Sequence, residues 1–162
     1  MPVLRRAARS DVAAILNWFG LPYAAPFLRR PSPENIEAAL EHANKALFMV
    51  EDHGQRVAHF ALFDVGDPSG IVNLGIVVVA KPRRGYGRFA VRAAQRFAFV
   101  DCCAHRLWLE VTSDNIAARC LYETCGFVHE GTWRDGFPAD DGNFKDLAAY
   151  GMLASEYDEN SG

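Results

Sequence analysis

The sequence predicts one α+β domain in which a mixed sheet is covered by helices. Its apolar residues recur alternately with the period of a strand and with that of a helix, which gives the order β-α-α-β-β-β-α-β-α-β-β. Half of the 162 residues are apolar, enough for a substantial core. A chain of this length accommodates one ordinary domain, so we assign residues 1–162 to a single domain.

Four strands and two helices are predicted in the first half of the chain. The pair Ser10-Asp11 caps the first helix, and Ser32 opens the second after a proline-rich loop. A turn at His53-Gly54 separates two strands. The continuous apolar run from Ile71 to Ala80 predicts a strand that is buried on both faces. The elements are strands at 3–6, 47–51, 56–63 and 71–80, with helices at 10–19 and from 32 onward.

Three strands and two helices are predicted in the second half. A glycine-containing turn at 81–87 leads to a helix that is expected to end near Val100. Phe89 and Phe97 are assigned to its apolar face and Arg92 to its solvent face. The other elements are strands at 106–111, 126–133 and 144–153 and a helix at 114–124.

Composition and charge argue against several classes of protein. Seventeen Lys and Arg against twenty Asp and Glu give a net charge of −3, whereas binding to bulk nucleic acid needs a basic face. No apolar run of signal length follows the N-terminal arginines, and the longest apolar run, around 76–80, is only as long as a strand. The cysteines include no CxxC pair and the histidines are scattered, with His59 expected in the core, so we expect no metal. These observations predict a cytoplasmic protein that binds neither nucleic acid nor membrane.

The strand, glycine turn and helix start at 71–89 have the features of a phosphate site. Glycine lets the backbone approach a ligand closely, and a helix N-terminus offers unpaired N–H groups. Arg83, Arg84 and Arg88 add positive charge at the same point. Gly85-x-Gly87-x-x-Ala90 also fits a dinucleotide fingerprint, but these glycines come five residues after the strand, and no room remains for a substrate domain. Another phosphate-bearing ligand is therefore favoured.

Two motifs make the chain resemble the GNAT N-acetyltransferases. The run Leu74–Val79 followed by Arg84-Gly85-Tyr86-Gly87-Arg88 resembles that family's strand and acyl-CoA pyrophosphate loop, and the stretch 107–127 resembles its second motif. The segment Gly131–Phe137 is similar to the RimI/RimJ/RimL-like branch, which acts on ribosomal-protein N-termini and has relatives with other acceptors. Pro82 departs from the family, which usually has Gln or Arg there. Because proline offers no N–H, one phosphate contact would fall to a neighbouring arginine, Arg83 or Arg84.

The resemblance implies a fold, an acetyl donor and a set of cofactor-binding residues. The fold is a mixed, mostly antiparallel sheet of about seven strands flanked by about four helices. The donor is acetyl-CoA, and no metal is implied. Backbone N–H groups of Val77, Val78 and Val79 would bind the thioester oxygen, as the family's bulged strand does. The complete predicted cofactor site is Val77, Val78, Val79, Arg84, Gly85, Tyr86, Gly87, Arg88, Phe89, Asn115 and Ala118.

Tyr122 and Glu110 are the predicted catalytic residues. The resemblance implies that Tyr122, on the helix face that it shares with Asn115, protonates the departing thiolate. The alternative is a packed tyrosine and an asparagine that serves the helix start. Glu110 lies twelve residues before Tyr122, as in RimI-like enzymes, and is the candidate base for an amine that must lose a proton near neutral pH. A glutamate at a strand end can equally pair with an arginine, so both roles stay open for Glu110.

The predicted function is transfer of an acetyl group from acetyl-CoA to a primary amine by direct attack on the thioester. The alternative from another class is a catalytically silent module that binds or senses acyl-CoA. The acceptor stays open among a protein or peptide N-terminus, a polyamine, an amino acid and an aminoglycoside, and a homodimer is possible. We expect the strands carrying 77–79 and 107–111 to diverge and admit the amine between walls at 21–27 and 133–137. Tyr23 and Arg134 are expected to influence acceptor binding from these walls.

Overall fold

In the computed structural model, which describes residues 1–159, seven strands and four α-helices follow one another in the predicted order. They are β1 (Val3–Arg6), α1 (Val12–Phe19), α2 (Pro33–Glu41), β2 (Ala46–Asp52), β3 (Gln55–Phe63), β4 (Ile71–Val79), α3 (Tyr86–Arg96), β5 (Arg106–Thr112), α4 (Ile116–Thr124), β6 (Val128–Pro138) and β7 (Phe144–Leu153). The strands form one sheet in the order β1-β2-β3-β4-β5-β7-β6, and all neighbouring pairs are antiparallel except β4 and β5. The predicted mixed, mostly antiparallel α+β class is confirmed.

Each face of the sheet is covered by its own helices, so two hydrophobic cores form. Along β2 the five residues Ala46 to Val50 are all buried, because alternate side chains enter opposite cores. Phe48 and Phe60 stack with centroids 4.9 Å apart in the core that α3 and α4 cover. The core under α1 and α2 contains Ile15 and Met49. The position of a residue along its strand therefore decides which pair of helices its side chain meets.

β4 contains a bulge at Gly75 that reverses its alternation. Consecutive residues of β3 pair with Ile76 and Leu74, so Gly75 between them is the extra residue. A Cβ at this position would lie 2.1 Å from Cε2 of Phe63, which leaves no space for a side chain. Before the bulge Leu74 packs in the core under α3 and α4, whereas Val78 after it packs in the core under α1 and α2.

β4 and β5 pair at their first residues and then diverge, as predicted. The parallel ladder ends at the pair Asn73 and Trp108, and beyond it a gap opens through the sheet, which we call the slot. The expectation that β4 is buried on both faces is therefore wrong for its second half. Burial holds at 72–74, but Val77 and Val79 are only half-buried because no strand covers their edge.

The buried face of α3 also differs from the prediction. Ala90 and Ala94 are fully buried, whereas Phe89, which was assigned to that face, is half-buried. Arg92, assigned to the solvent face, is half-buried too and donates to the carbonyl of Cys125 at the end of α4 (3.3 Å). The buried face of α3 consists of Ala90, Val91, Ala94 and Gln95, so Phe89 lies at the margin of the contact between helix and sheet.

Candidate active site

The loop between β4 and α3 has a backbone shape that suits an anion. Arg83 and Gly85 both have left-handed backbone angles, with φ of +61° and +82°. Alternation of left- and right-handed residues turns successive N–H groups toward one concavity. The N–H of Phe89 donates to the carbonyl of Gly85 (3.0 Å), so the N–H groups at 86–88 precede the first helical hydrogen bond and point out of the helix end.

Two contacts fix the start of α3 against the sheet and α4. The hydroxyl of Tyr86 donates to Asp52 Oδ2 at the end of β2 (2.9 Å), and this hydrogen bond raises the pKa of Tyr86. A Cβ on Gly87 would lie 3.2 Å from Cδ2 of Leu121, so glycine allows α3 and α4 to approach each other here. Of the other predicted loop residues, Arg84, Gly85 and Arg88 are exposed and Phe89 is half-buried.

The free edge of β4 presents two backbone N–H groups to the slot. Ala80 donates its N–H to the carbonyl of Val57 (2.8 Å) across the β3 pairing. Because the direction of the backbone N–H alternates along a strand, the N–H of Val78 also points to β3. The N–H groups of Val77 and Val79 point to the slot. The prediction that all three valines offer N–H groups is therefore wrong for Val78, whose N–H serves the sheet.

Asn115, which was expected inside the helix that carries Tyr122, lies just before the first residue of α4. Asn115 is the N-cap of α4, and its Oδ1 accepts the N–H of Ala118 (3.2 Å). The side-chain oxygen therefore serves the helix start, and only the side-chain NH₂ group is left to contact a cofactor. Ala118 lies one turn further on and is half-buried.

Tyr122 is packed in the core under α3 and α4, and 8% of its surface is exposed. Its ring meets Phe127 edge-on, with centroids 6.0 Å apart, and lies 6.3 Å from the ring of Tyr150. Within residues 1–159 its hydroxyl makes no hydrogen bond, whereas that of Tyr150 contacts Arg119 and Glu123. Burial raises the pKa of Tyr122, so its phenol stays protonated at neutral pH. A protonated phenol without an internal partner is suited to donate a proton to a ligand.

Glu110 points to the opposite face of the sheet from Tyr122. Leu109 and Val111 on either side of it belong to the core under α3 and α4, so the pleat directs Glu110 away from that core. No ion pair joins Glu110 to any residue of the described chain, and the arginine partner considered above is not found there. Desolvation by the surrounding protein raises the pKa of this carboxyl group, although part of the side chain reaches solvent.

A cavity of about 800 Å³ opens on the same face as Glu110, between the α1–α2 connection and the β6–β7 hairpin. Ala25 and Pro26 line it from one predicted wall and Phe137 from the other, whereas Tyr23 and Arg134 are not among its described lining residues. The other lining residues are Phe19, Gly20, Leu28, Arg29, Arg30, Pro138, Ala139, Asp140, Asp141 and Lys145. Parts of both predicted wall segments, 21–27 and 133–137, therefore line this cavity, but through other side chains than Tyr23 and Arg134.

Sequence reasoning missed Lys145, which lines this cavity. Its ammonium group contacts the carbonyl of Pro26, 119 positions away in the chain, and the carboxylate of Asp114. No local sequence pattern predicts such a contact, because an isolated lysine in a strand ordinarily faces water.

His59 is a core histidine, as expected. It is 1% exposed, its Nδ1 lies 2.9 Å from the carbonyl oxygen of Phe48, and burial lowers its pKa to about 4. The ring is therefore neutral at physiological pH.

Neither a membrane helix nor a metal cluster is found in the part of the chain that the structure describes. No helix there is long and apolar enough to cross a membrane. In residues 1–159, no three His, Cys, Asp or Glu side chains are grouped so that they could hold a metal ion.

Comparisons with known proteins agree with this architecture. Residues 12–127 match the family model described as the acetyltransferase (GNAT) family. The spermidine N(1)-acetyltransferase of Vibrio cholerae serotype O1 is 32% identical over 95% of this chain and 94% of its own length. A mutant of spermidine N-acetyltransferase SpeG from Vibrio cholerae has a similar structure, with a TM-score of 0.84 at 22% identity over 99% of this chain and 98% of that one. A dodecameric structure of spermidine N-acetyltransferase from Vibrio cholerae gives a TM-score of 0.78 at 24% identity, covering 96% and 95% of the two chains.

Proposed function

Because the chain belongs to the acetyltransferase (GNAT) family and is an N-acetyltransferase, we propose that it acetylates a primary amine of a polyamine such as spermidine, with acetyl-CoA as donor. The observation that carries the polyamine is the likeness, along nearly the whole chain, to a relative named as a spermidine acetyltransferase. The RimI/RimJ/RimL-like resemblance would instead favour a protein N-terminus as acceptor. The experiment below separates the two.

On the donor side, the pyrophosphate of acetyl-CoA would lie at the start of α3. The N–H groups at 86–88 and the positive end of the helix would bind its oxygens. Arg84 and Arg88 are exposed beside these groups and supply the countercharge. The pantetheine arm would then run between α3 and α4 toward the slot, past Ala118.

The reaction itself takes place in the slot. The N–H groups of Val77 and Val79 face the position of the thioester oxygen and would stabilise the negative charge that develops on it. The amine nitrogen attacks the carbonyl carbon directly and the carbon–sulfur bond breaks. Tyr122 would give its phenolic proton to the departing thiolate, because its hydroxyl is protonated and makes no hydrogen bond to any described residue.

On the acceptor side, Glu110 would take the proton that the amine must lose. A polyamine ammonium group has a pKa near that of lysine, about 10.4, so the nucleophilic form is scarce at neutral pH. Glu110 carries no counter-ion in the described chain and lies on the face that the amine enters. A raised carboxyl pKa brings it closer to that of the amine and makes it a stronger base than an ordinary glutamate.

The charges of the cavity agree with a cationic acceptor only in part. Asp140 and Asp141 line it and would attract the distal ammonium groups of a polyamine. Arg29 and Arg30 line it too, and they favour an acceptor with a carboxylate, such as an amino acid or a peptide. An acceptor panel therefore has to include both classes.

The test is a thiol-release assay with acetyl-CoA against spermidine, a free amino acid, an aminoglycoside and a peptide with a free N-terminus. Mass spectrometry of the products identifies the acetylated nitrogen. We expect kcat/KM for spermidine to exceed that of the other acceptors by at least about tenfold, a difference of about 1.4 kcal/mol. A preference for the peptide would refute the polyamine proposal. Binding of acetyl-CoA without turnover of any amine would instead favour the silent acyl-CoA-binding module.

The same preparation tests whether the protein forms the homodimer that the sequence leaves possible. The dodecamer is a property of the relative whose structure was solved. Light scattering on a sizing column gives the molar mass of this protein with and without acetyl-CoA, and a mass of one chain would refute the dimer.

A further inference from the structure

The segment from Leu21 to Leu28, which we call the acceptor strap, forms one wall of the cavity and has little secondary structure to hold it. Local backbone hydrogen bonds stabilise its turns, such as those from the N–H groups of Ala24 and Ala25 to the carbonyl of Leu21 (both 2.9 Å). Only Ala24 is buried within it. Leu21 and Leu28 pack against the core under α1 and α2 only in part, so side chains elsewhere add to the anchoring of the segment.

One anchor of the acceptor strap lies on β4. The hydroxyl of Tyr23 contacts the carbonyl oxygens of Val79 (3.0 Å) and Ala80 (2.5 Å), where β4 ends beside the slot. Burial of this contact raises the pKa of Tyr23, so the phenol remains a hydrogen-bond donor.

The second anchor is Lys145 of β7, on the other side of the slot. Its Nζ donates to the carbonyl of Pro26 (2.9 Å), lies 2.9 Å from Oδ2 of Asp114 and sits 5.0 Å from the centre of the Phe27 ring. An ammonium group has three N–H donors, of which the carbonyl and the carboxylate use two, and the ring face of Phe27 adds a cation–π contact. Three contacts within the protein therefore hold this lysine in place.

The position of Lys145 joins three parts of the site. It pairs with Phe137 in the β6–β7 hairpin, which forms the second wall of the cavity. It holds Pro26 of the acceptor strap, which forms the first wall. It also holds Asp114, the neighbour of Asn115, at the start of the helix that carries Tyr122.

We propose that Lys145 is a positioning residue for the acceptor amine, which fixes the acceptor strap against the β6–β7 hairpin and against the start of α4. This inference rests on the proposed function, because it takes the cavity as the acceptor site. Lys145 thus joins one wall of the cavity to the other through a single ammonium group, in addition to the Tyr23 hydrogen bonds and the apolar packing that hold the acceptor strap on the sheet. The residue itself touches neither the acetyl group nor the reacting nitrogen.

Replacement of Lys145 by Met keeps the aliphatic stem and removes the ammonium group. The acceptor strap then loses its anchor on β7, and the KM of the acceptor rises about tenfold or more, because small misplacements of a substrate wall weaken binding and alignment steeply. The kcat at saturating acceptor and the Kd of acetyl-CoA stay within about threefold of wild type, since the N-cap hydrogen bond of Asn115 and the packing of Tyr122 keep α4 in place without the lysine. Lys145→Arg keeps the charge and restores most of the KM.

Two further variants make the test specific. Asp114→Asn leaves the lysine in place but removes the negative charge of its partner, and it shifts KM in the same direction by less. Lys45→Met is the matched control, because Lys45 also lies over an aromatic ring, that of Phe63 at 5.3 Å, but contacts neither wall of the cavity. Its kinetic constants should equal those of wild type.

Hydrogen exchange without any ligand tests the anchor independently of the acceptor. Amides of the acceptor strap should exchange faster in Lys145→Met than in wild type or Lys45→Met. KM is measured with the best acceptor of the panel, so failure of the polyamine assignment does not carry over to this inference. Unchanged exchange, an unchanged acceptor KM, or a fall in kcat at constant KM would each overturn it.

Discussion

Tyr122 and Tyr150 are neighbouring phenols, and comparing their Phe variants distinguishes a catalytic role of a hydroxyl from a stabilising one. Their rings lie 6.3 Å apart in one core, but only the hydroxyl of Tyr150 is hydrogen-bonded in the described chain. It accepts from Arg119 Nε (3.0 Å) and donates to Glu123 Oε1 (2.7 Å). Replacing each tyrosine by phenylalanine removes one oxygen and leaves both rings, so any difference in effect comes from the role of the hydroxyl.

Tyr122→Phe should lower kcat and leave stability unchanged. A lost general acid costs about 100- to 10,000-fold in rate, which is about 3–5 kcal/mol of transition-state stabilisation. Since removal of the hydroxyl breaks no hydrogen bond within residues 1–159, the free energy of unfolding should change by less than about 0.5 kcal/mol. The raised pKa keeps the phenol protonated between pH 6 and 9, so the rate ratio of wild type to variant should be flat across that range.

Tyr150→Phe should show the reverse pattern. It removes two hydrogen bonds to charged partners, and because Glu123 is exposed and can be hydrated again, we expect a loss of about 1–2 kcal/mol. That corresponds to about 2–4 °C in Tm for each kcal/mol in a chain of this size, with kcat unchanged. Steady-state thiol release and thermal melts of the three proteins provide both numbers. If Tyr122→Phe turns over within about threefold of wild type throughout pH 6–9, the phenol is only packing and the acid assignment fails.

Three further substitutions test other parts of the structure. Desolvation raises the pKa of Glu110, so the folded protein holds the carboxyl proton more tightly than the unfolded chain does. Ionisation of this group therefore lowers the free energy of unfolding as pH rises. Glu110→Gln should melt no lower than wild type at pH 7. Its kcat/KM should fall most at the lower end of pH 6–9, where the amine is protonated, and an equal loss at every pH would contradict a base. Gly87→Val should raise the Kd of acetyl-CoA about tenfold by calorimetry, since a side chain there meets Leu121 at 3.2 Å and overpacks the gap between α3 and α4; unchanged affinity in a folded variant would refute the cofactor position. The fully buried Asp11 accepts two hydrogen bonds from Arg5, which lower its pKa, so its stabilisation is complete above the unfolded pKa of about 3.9 and is lost as pH falls below it. Asp11→Asn should cost about 2–4 kcal/mol at pH 7 and less at pH 2 in denaturant titrations, because the stabilisation disappears completely only below the lowered pKa of the folded state; an equal loss at both pH values would count against the ion pair.

The order and type of every strand and helix could be predicted because hydrophobic period is a local property. The bulge in β4 was also within reach, since a glycine inside an apolar strand is a signal for one. The effect of the bulge on the backbone could not be predicted, because the direction of the Val78 N–H depends on which residue of β3 pairs with it. For the same reason the sequence could not show that the oxygen of Asn115 is used as a helix cap.

The proposed donor loop can be located from the sequence alone, whereas the lining of the proposed acceptor cavity can be located only in part. The donor loop is contiguous in sequence, so its glycines, its arginines and its place between a strand and a helix identify the segment from Arg84 to Phe89. The acceptor cavity is assembled from segments more than a hundred residues apart. Lys145 therefore looks like any surface lysine until the fold brings Pro26 and Asp114 to it.

The slot between β4 and β5 has a kinetic consequence. If donor and acceptor bind as proposed, they enter from opposite faces of the sheet, so neither substrate has to leave before the other arrives, and both must be present for the carbonyl carbon and the amine nitrogen to meet. Double-reciprocal plots should therefore intersect rather than run parallel. A compound that joins the sulfur of CoA to a polyamine should therefore occupy both entrances at once and compete with each substrate.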